Sequence, residues 1–240
     1  MNVEQVIQEV NKSGIFVVEN FLENKQPVID EFDNLFSHIP DRSQGYLNSV
    51  NNLELEPPGS YELGKHLRVQ PAAYSNIPEI YNTFQNQDLI NITNGCLGRN
   101  VYGMQIFMST EYNPIVSKEK YPRNALLHFD PYESLKFILY LTDTDETNGA
   151  FHAIPGSLDE GRKYRTEKMN IQDMSGWNNG YKHQPSDYDE NPKYCQEDAV
   201  AFGGKIGDLI VVHTDILHYG SIILEQNKQR KVVLLHCRPQ

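Results

Sequence analysis

The chain has 240 residues and a formal net charge of −11, with 32 acidic side chains against 21 Lys and Arg. That balance argues against a nucleic-acid partner, because polyphosphate binding relies on clustered Lys and Arg that release counterions. The length suits one domain, 1–240, with a sizeable core, and no apolar run reaches the roughly 18 residues of a membrane span.

Met1 to Val10 lacks the cationic start and apolar run of a signal peptide. Cys96, Cys195 and Cys237 have no CxxC spacing and read as reduced thiols. Both point to a cytoplasmic protein. Residues 2–12 carry Val3, Val6, Ile7 and Val10 on one helical stripe, stopped at Gly14. Ile15 to Val18 is a β-branched and aromatic run, and Asn24 is placed to cap a helix over Pro27 to Phe36. Pro40 to Tyr74 is rich in Asn, Gly, Pro and Ser and reads as a long surface excursion. Ile77 to Thr93 predicts a helix ending before Gly95.

Strands dominate the rest. Asn100 to Ser109 alternates Tyr102, Met104, Ile106 and Met108 with Val101, Gly103, Gln105, Phe107 and Ser109. Further strands are predicted over Leu126 to Asp130, Ser134 to Leu141, Gly149 to Pro155, Ala199 to Phe202, Asp208 to His213, Gly220 to Leu224 and Lys231 to Cys237. Residues 159–197 are polar and aromatic and read as an insertion, a lid or ordered loop over a pocket. Early helices and later short strands imply an α+β, mainly β fold around a barrel-like double sheet.

In an extended Leu126 to Asp130, His128 and Asp130 project to one face and Phe129 to the other. An imidazole and a carboxylate are two-thirds of the 2-His-1-carboxylate set that leaves coordination positions open on Fe(II). His213 and His218 compete for the third place. Arg230 opens a buried strand and brings a rigid donor fork suited to a carboxylate. In Leu135 to Leu141, Lys136 shares a face with Ile138 and Tyr140. His38, His66, His152, His183 and His236 read as satisfied or surface histidines.

His128-Phe129-Asp130, the run Asn148 to Ser157, Gly207-Asp208 and His218 to Arg230 stand in an order that resembles the phytanoyl-CoA dioxygenase-like family. The resemblance covers about residue 100 to the C-terminus. It implies a double-stranded β-helix, or jelly roll, with Fe(II), 2-oxoglutarate and O2 as cofactor and cosubstrates, and ascorbate as a candidate stimulant. It implies that His128, Asp130 and His218 hold the metal and that Arg230, assisted by Ser221, takes the distal carboxylate of 2-oxoglutarate. Tyr219 intervenes where the family puts Gly-Ser directly after its His, and Arg230 is displaced by the same one residue. This shared offset favours His218 over His213.

The resemblance also places Lys136 and Ser109 beside the cosubstrate, and Gln105 and Tyr140 beside the substrate. The implied reaction is hydroxylation of an unactivated C–H bond with release of succinate and CO2. Asp130 favours oxygenation, since related halogenases have Gly or Ala there. The acidic balance disfavours acyl-CoA despite the local Arg162, Lys163 and Arg165, leaving a small metabolite, an amino acid derivative or natural-product intermediate, as the expected substrate. A non-redox cupin-type metal enzyme and a non-catalytic jelly-roll binding protein are the alternatives.

Overall fold

Alternation along the strands decides which side of the sheet carries the core. Leu67, Val69, Ile106, Met108, Phe137, Leu139, Val211, Val233 and Leu235 pack with helical side chains such as Val10, Phe32, Ile80 and Ile92. Residues of the opposite parity, Ile138, Tyr140, Ile210, Val212 and Val232, pack instead with Phe151 and Ala153. A sheet buried on both faces results, with helices on one side and a smaller sheet on the other.

The computed structural model describes residues 1–99, 101–112, 125–168, 184–187 and 189–239. Its elements are α1 (Val3–Ser13), β1 (Ile15–Val18), α2 (Gln26–Ser37), β2 (Gln44–Ser49), β3 (Asn52–Leu55), β4 (Gly64–Val69), α3 (Pro78–Phe84), α4 (Gln87–Leu97), β5 (Val101–Tyr112), β6 (Leu135–Tyr140), β7 (Phe151–Ala153), α5 (Leu158–Lys163), β8 (Val200–Phe202), β9 (Leu209–His213), β10 (His218–Gly220) and β11 (Gln229–Pro239). Eight strands form a mixed sheet in the order β1-β9-β6-β11-β5-β4-β2-β3, and β10-β7-β8 form a second sheet. The α+β, mainly β expectation agrees with this arrangement.

Several local expectations are corrected. The region from Pro40 to Tyr74 is not a bare loop: β2 and β4 pair in parallel and β4 joins β5. Its Asn and Gly residues bend the chain between short strands, as at Asn51, where φ is 59°. The helix expected over Ile77 to Thr93 is two, because the side chain of Asn86 accepts from Asp88 N–H and starts a new one. Gly95 lies inside α4, and Gly98 ends it at φ 64°. Lys25, not Asn24, is the N-cap residue of α2, without a side-chain cap.

Leu126 to Asp130 is not a ladder strand. It makes one antiparallel bridge, His128 with His218. The expected strand Gly220 to Leu224 runs earlier, as β10. The start of 159–197 is also core rather than insertion, because Tyr164 is fully buried and stacks on Phe129 at 5.7 Å. Residues 169–183 and 188 of the expected lid, His183 included, lie outside the described residues.

Candidate metal centre and its pocket

The bridge between His128 and His218 is a mutual pair of backbone hydrogen bonds, 2.9 Å each way. Residues directly opposite in an antiparallel pair send their side chains to the same face. The two imidazoles accordingly lie side by side, with centroids 4.5 Å apart. Asp130, two residues from His128, projects to that face as well. Its Oδ1 is 3.8 Å from His128 Nε2 and 3.6 Å from His218 Nε2.

Each imidazole is fixed by its other nitrogen. His128 Nδ1 is 2.8 Å from the Leu126 carbonyl and His218 Nδ1 is 2.7 Å from that of Ile216. A carbonyl only accepts, so both Nδ1 atoms carry hydrogen and both Nε2 atoms face the centre. His218 Nε2 is buried without a hydrogen-bond partner among the described residues. Burial, then the neighbouring His218, lowers His128 to about 3 and keeps it neutral. Burial alone would raise Asp130, but Lys136 and the two histidines outweigh it and hold the carboxyl well below its usual range. Lys136 Nζ lies 2.5 Å from Asp130 Oδ2, leaving Oδ1 toward the imidazoles. Two imidazoles and a carboxylate, with ligand atoms within 4.8 Å of one another, fit a divalent metal.

Glu133, His213 and Asp215 form a second acidic and imidazole group of similar spread. Arginines occupy it. Arg165 takes both oxygens of the fully buried Asp215, at 2.6 and 2.9 Å, while Arg99 pairs with Glu133. Positive charge already satisfies those carboxylates, so this group fits a metal poorly. The Arg162, Lys163 and Arg165 cluster is likewise neutralised, by Asp159, Glu160 and Asp215.

A cavity of about 540 Å3 opens over His128, Asp130 and His218. Inward-facing residues of four strands line it: His66 and Arg68 of β4; Gln105, Phe107, Ser109 and Glu111 of β5; Lys136, Ile138 and Tyr140 of β6; Arg230 through Arg238 at alternate positions of β11. Arg230 is 8% exposed and pairs with Glu111, 4% exposed, while donating to the Gly149 carbonyl. Gly149 allows this approach: it sits at φ 89°, and a Cβ there would lie 3.2 Å from the guanidinium. Glu111 also accepts from Tyr61, at 3.0 Å.

Ser109, Gln105, Lys136 and Tyr140 are thus brought together with Arg230. The Tyr140 hydroxyl is engaged, donating to Phe202 O and accepting from Phe151 N–H at 3.0 Å. Ser221 is not in the lining, and its hydroxyl pairs with His152 Nδ1 at 2.9 Å. Sequence reasoning missed Glu111, Arg68 and Arg238, and set aside His66 and His236. Continuing the Gln105, Phe107, Ser109 parity by one step reaches Glu111; reading Gly64–Val69 as a strand would have paired His66 with Arg68.

Fold and donor set define a jelly-roll protein with a two-histidine, one-carboxylate pocket. Residues 122–224 match the sequence profile of the phytanoyl-CoA dioxygenase (PhyH) family. The chain is 26% identical over 185 residues to a phytanoyl-CoA dioxygenase of Arabidopsis thaliana, covering 74% of this chain and 60% of that one. It is 35% identical over 95 residues to phytanoyl-CoA dioxygenase 1 of Oryza sativa subsp. japonica, covering 40% and 30%. The matched stretches thus span less than two-thirds of these relatives. Among solved structures, the epimerase SnoN in complex with Fe3+, alpha ketoglutarate and nogalamycin RO shares the fold, with a TM-score of 0.57, 12% identity, and coverage of 99% of this chain and 83% of that one. The expected double-stranded β-helix stands.

Proposed function

We propose that the protein is an Fe(II)- and 2-oxoglutarate-dependent oxygenase that hydroxylates an unactivated C–H bond of a small metabolite, releasing succinate and CO2. The observation that carries this reading is the convergence of two backbone-anchored imidazoles and one carboxylate within 4.8 Å, at a cavity that also holds a buried arginine. Ferrous iron, when bound, supplies the oxygen chemistry that no side chain provides. His128, Asp130 and His218 hold it. Lys136 orients Asp130 by taking Oδ2.

Arg230 receives the distal carboxylate of the keto acid, which enters by exchanging with Glu111, and Ser109 lies beside that exchange at 3.4 Å from Glu111. Gln105 and Tyr140 face the substrate. Ile138, Phe151 and Val232 keep the floor apolar and limit water.

The three cysteines are free thiols, in keeping with a cytoplasmic site, and among the described residues no helix is long and apolar enough to cross a membrane. The chain is proposed to work as a single domain, 1–240. The test is succinate formation from 2-oxoglutarate with Fe(II), ascorbate and O2. A non-redox metal enzyme or a binding module would release none.

A further inference from the structure

We infer that the end of the cavity remote from Arg230 binds the carboxylate of an organic acid substrate, held between Arg68 and Arg238. This deepens the oxygenase reading and rests on it for which end the keto acid takes.

Charge accounting inside the cavity comes first. Its walls carry four fixed cations, Arg68, Lys136, Arg230 and Arg238, and two carboxylates, Glu111 and Asp130. Glu111 is paired with Arg230 and Asp130 with Lys136. Arg68 and Arg238 have no carboxylate partner among the described residues. Both lie on aromatic faces instead: Arg68 is 5.0 Å from the Phe107 centroid and 5.8 Å from that of Tyr46, and Arg238 is 5.2 Å from that of Tyr132. Stacking engages the face of a guanidinium and leaves its N–H edge to donate in plane. Arg68 Nε is buried with no acceptor among the described residues. A chain of net charge −11 that keeps in this cavity two guanidinium groups with no carboxylate partner among the described residues presents a site for an anion.

Register separates this site from Arg230. Arg68 lies opposite Phe107, and Phe107 opposite Leu234. Leu234 is four residues from Arg230, about 13 Å along a strand at about 3.3 Å per residue. Arg238 lies four residues further on, so a keto acid bound at Arg230 leaves this end open. Phe107, Ile138 and Leu234 line the cavity at the level of Arg68, one step along β11 from the Lys136 and His236 level where Asp130 sits, and suit a hydrocarbon body. His66 and His236 flank Phe107, at 6.1 and 4.6 Å between centroids. Burial first, and then Arg68 or Lys136, lowers them, so they offer neutral hydrogen-bonding groups. Among the described residues, none that lines the cavity belongs to a helix or a glycine-rich loop, which favours a carboxylate over a phosphate. The substrate class is a small carboxylic acid whose apolar chain reaches from the arginines toward His128 and His218.

The test is calorimetric titration of the Mn(II)-loaded, 2-oxoglutarate-saturated protein without oxygen. The probes are hexanoate, octanoate and phenylpropionate, each beside its primary amide, with hexyl phosphate as a further arm. Acids are expected to bind about tenfold or more tightly than their amides, and Arg68→Met and Arg238→Met to erase that preference. Arg68→Lys should recover part of it. The half-exposed Arg238 provides the test if the Arg68 variant does not fold. Equal binding of acids and amides, variants that bind acids like the parent, acid binding that appears only when 2-oxoglutarate is left out, or preference for hexyl phosphate each overturns the inference. Acid binding that depends on Arg68 in a protein that does not bind 2-oxoglutarate would sustain the inference and remove the oxygenase reading.

Discussion

Replacing Glu111 with Gln separates the two partners of a buried ion pair with little change of shape. Glu111 and Arg230 are 4% and 8% exposed, so neither charge is well hydrated, and removing one partner of such a pair costs about 3–5 kcal/mol. Gln still offers a carbonyl oxygen to the guanidinium, which puts the loss near the lower bound, about 3 kcal/mol. For a chain of this length that lowers the melting temperature by about 6–12 °C. On the proposed reading the same change makes the site more receptive: in the parent, 2-oxoglutarate would exchange one carboxylate for another at Arg230, whereas in Glu111→Gln it would meet an uncompensated guanidinium. If most of the 3 kcal/mol reappears as binding energy, affinity rises about a hundredfold. Anaerobic calorimetry of the Mn(II)-loaded variant reads the affinity, and thermal denaturation with and without 2-oxoglutarate reads the stability. A variant that loses stability yet binds the keto acid no more tightly than the parent would show that Glu111 is never displaced.

Arg230→Ala should raise the KM for 2-oxoglutarate by one to two orders of magnitude, roughly 1.5–3 kcal/mol for charge-assisted bonds, and an unchanged KM would remove Arg230 from the site. His218→Ala should abolish metal binding measured by elemental analysis while His213→Ala retains it; the reverse would transfer the site to the Glu133, His213 and Asp215 group. Arg165→Met should destabilise the protein by about 3 kcal/mol or more in urea titration, because Asp215 is fully buried and loses its bidentate partner. The folded protein keeps His66 and His128 neutral down to about 4 and about 3, whereas the unfolded chain takes up protons below 6.5. The unfolded state therefore binds more protons in that window, and the melting temperature of the metal-free protein should fall as pH drops from neutrality toward 4.5. A flat profile over that range would contradict the burial described for these rings.

The candidate metal face was legible in the sequence because it rests on local rules. A histidine and an aspartate two apart share a side whenever the backbone is extended, and the offset introduced by Tyr219 ranked His218 above His213. The pairing of Glu111 with Arg230 was not legible, because it joins positions 119 residues apart across β5 and β11. Only the register brings them together. Arg68 and His66 were hidden for another reason: the Asn, Gly and Pro of their surroundings signal turns, and the short strand between those turns is held mostly by its neighbours. Tyr164 looked like part of a polar insertion, yet one buried aromatic ring was enough to fold its start into the core.

The reciprocal amide bonds joining His128 to His218 carry a consequence for how the centre is assembled. Main-chain bonding sets the distance between the two rings and each ring is tethered by its own Nδ1, so the cradle does not depend on an ion to draw its walls together. Loading and unloading then become exchanges at a standing receptacle rather than steps of folding, and the kind of ion taken up is governed by supply as much as by shape.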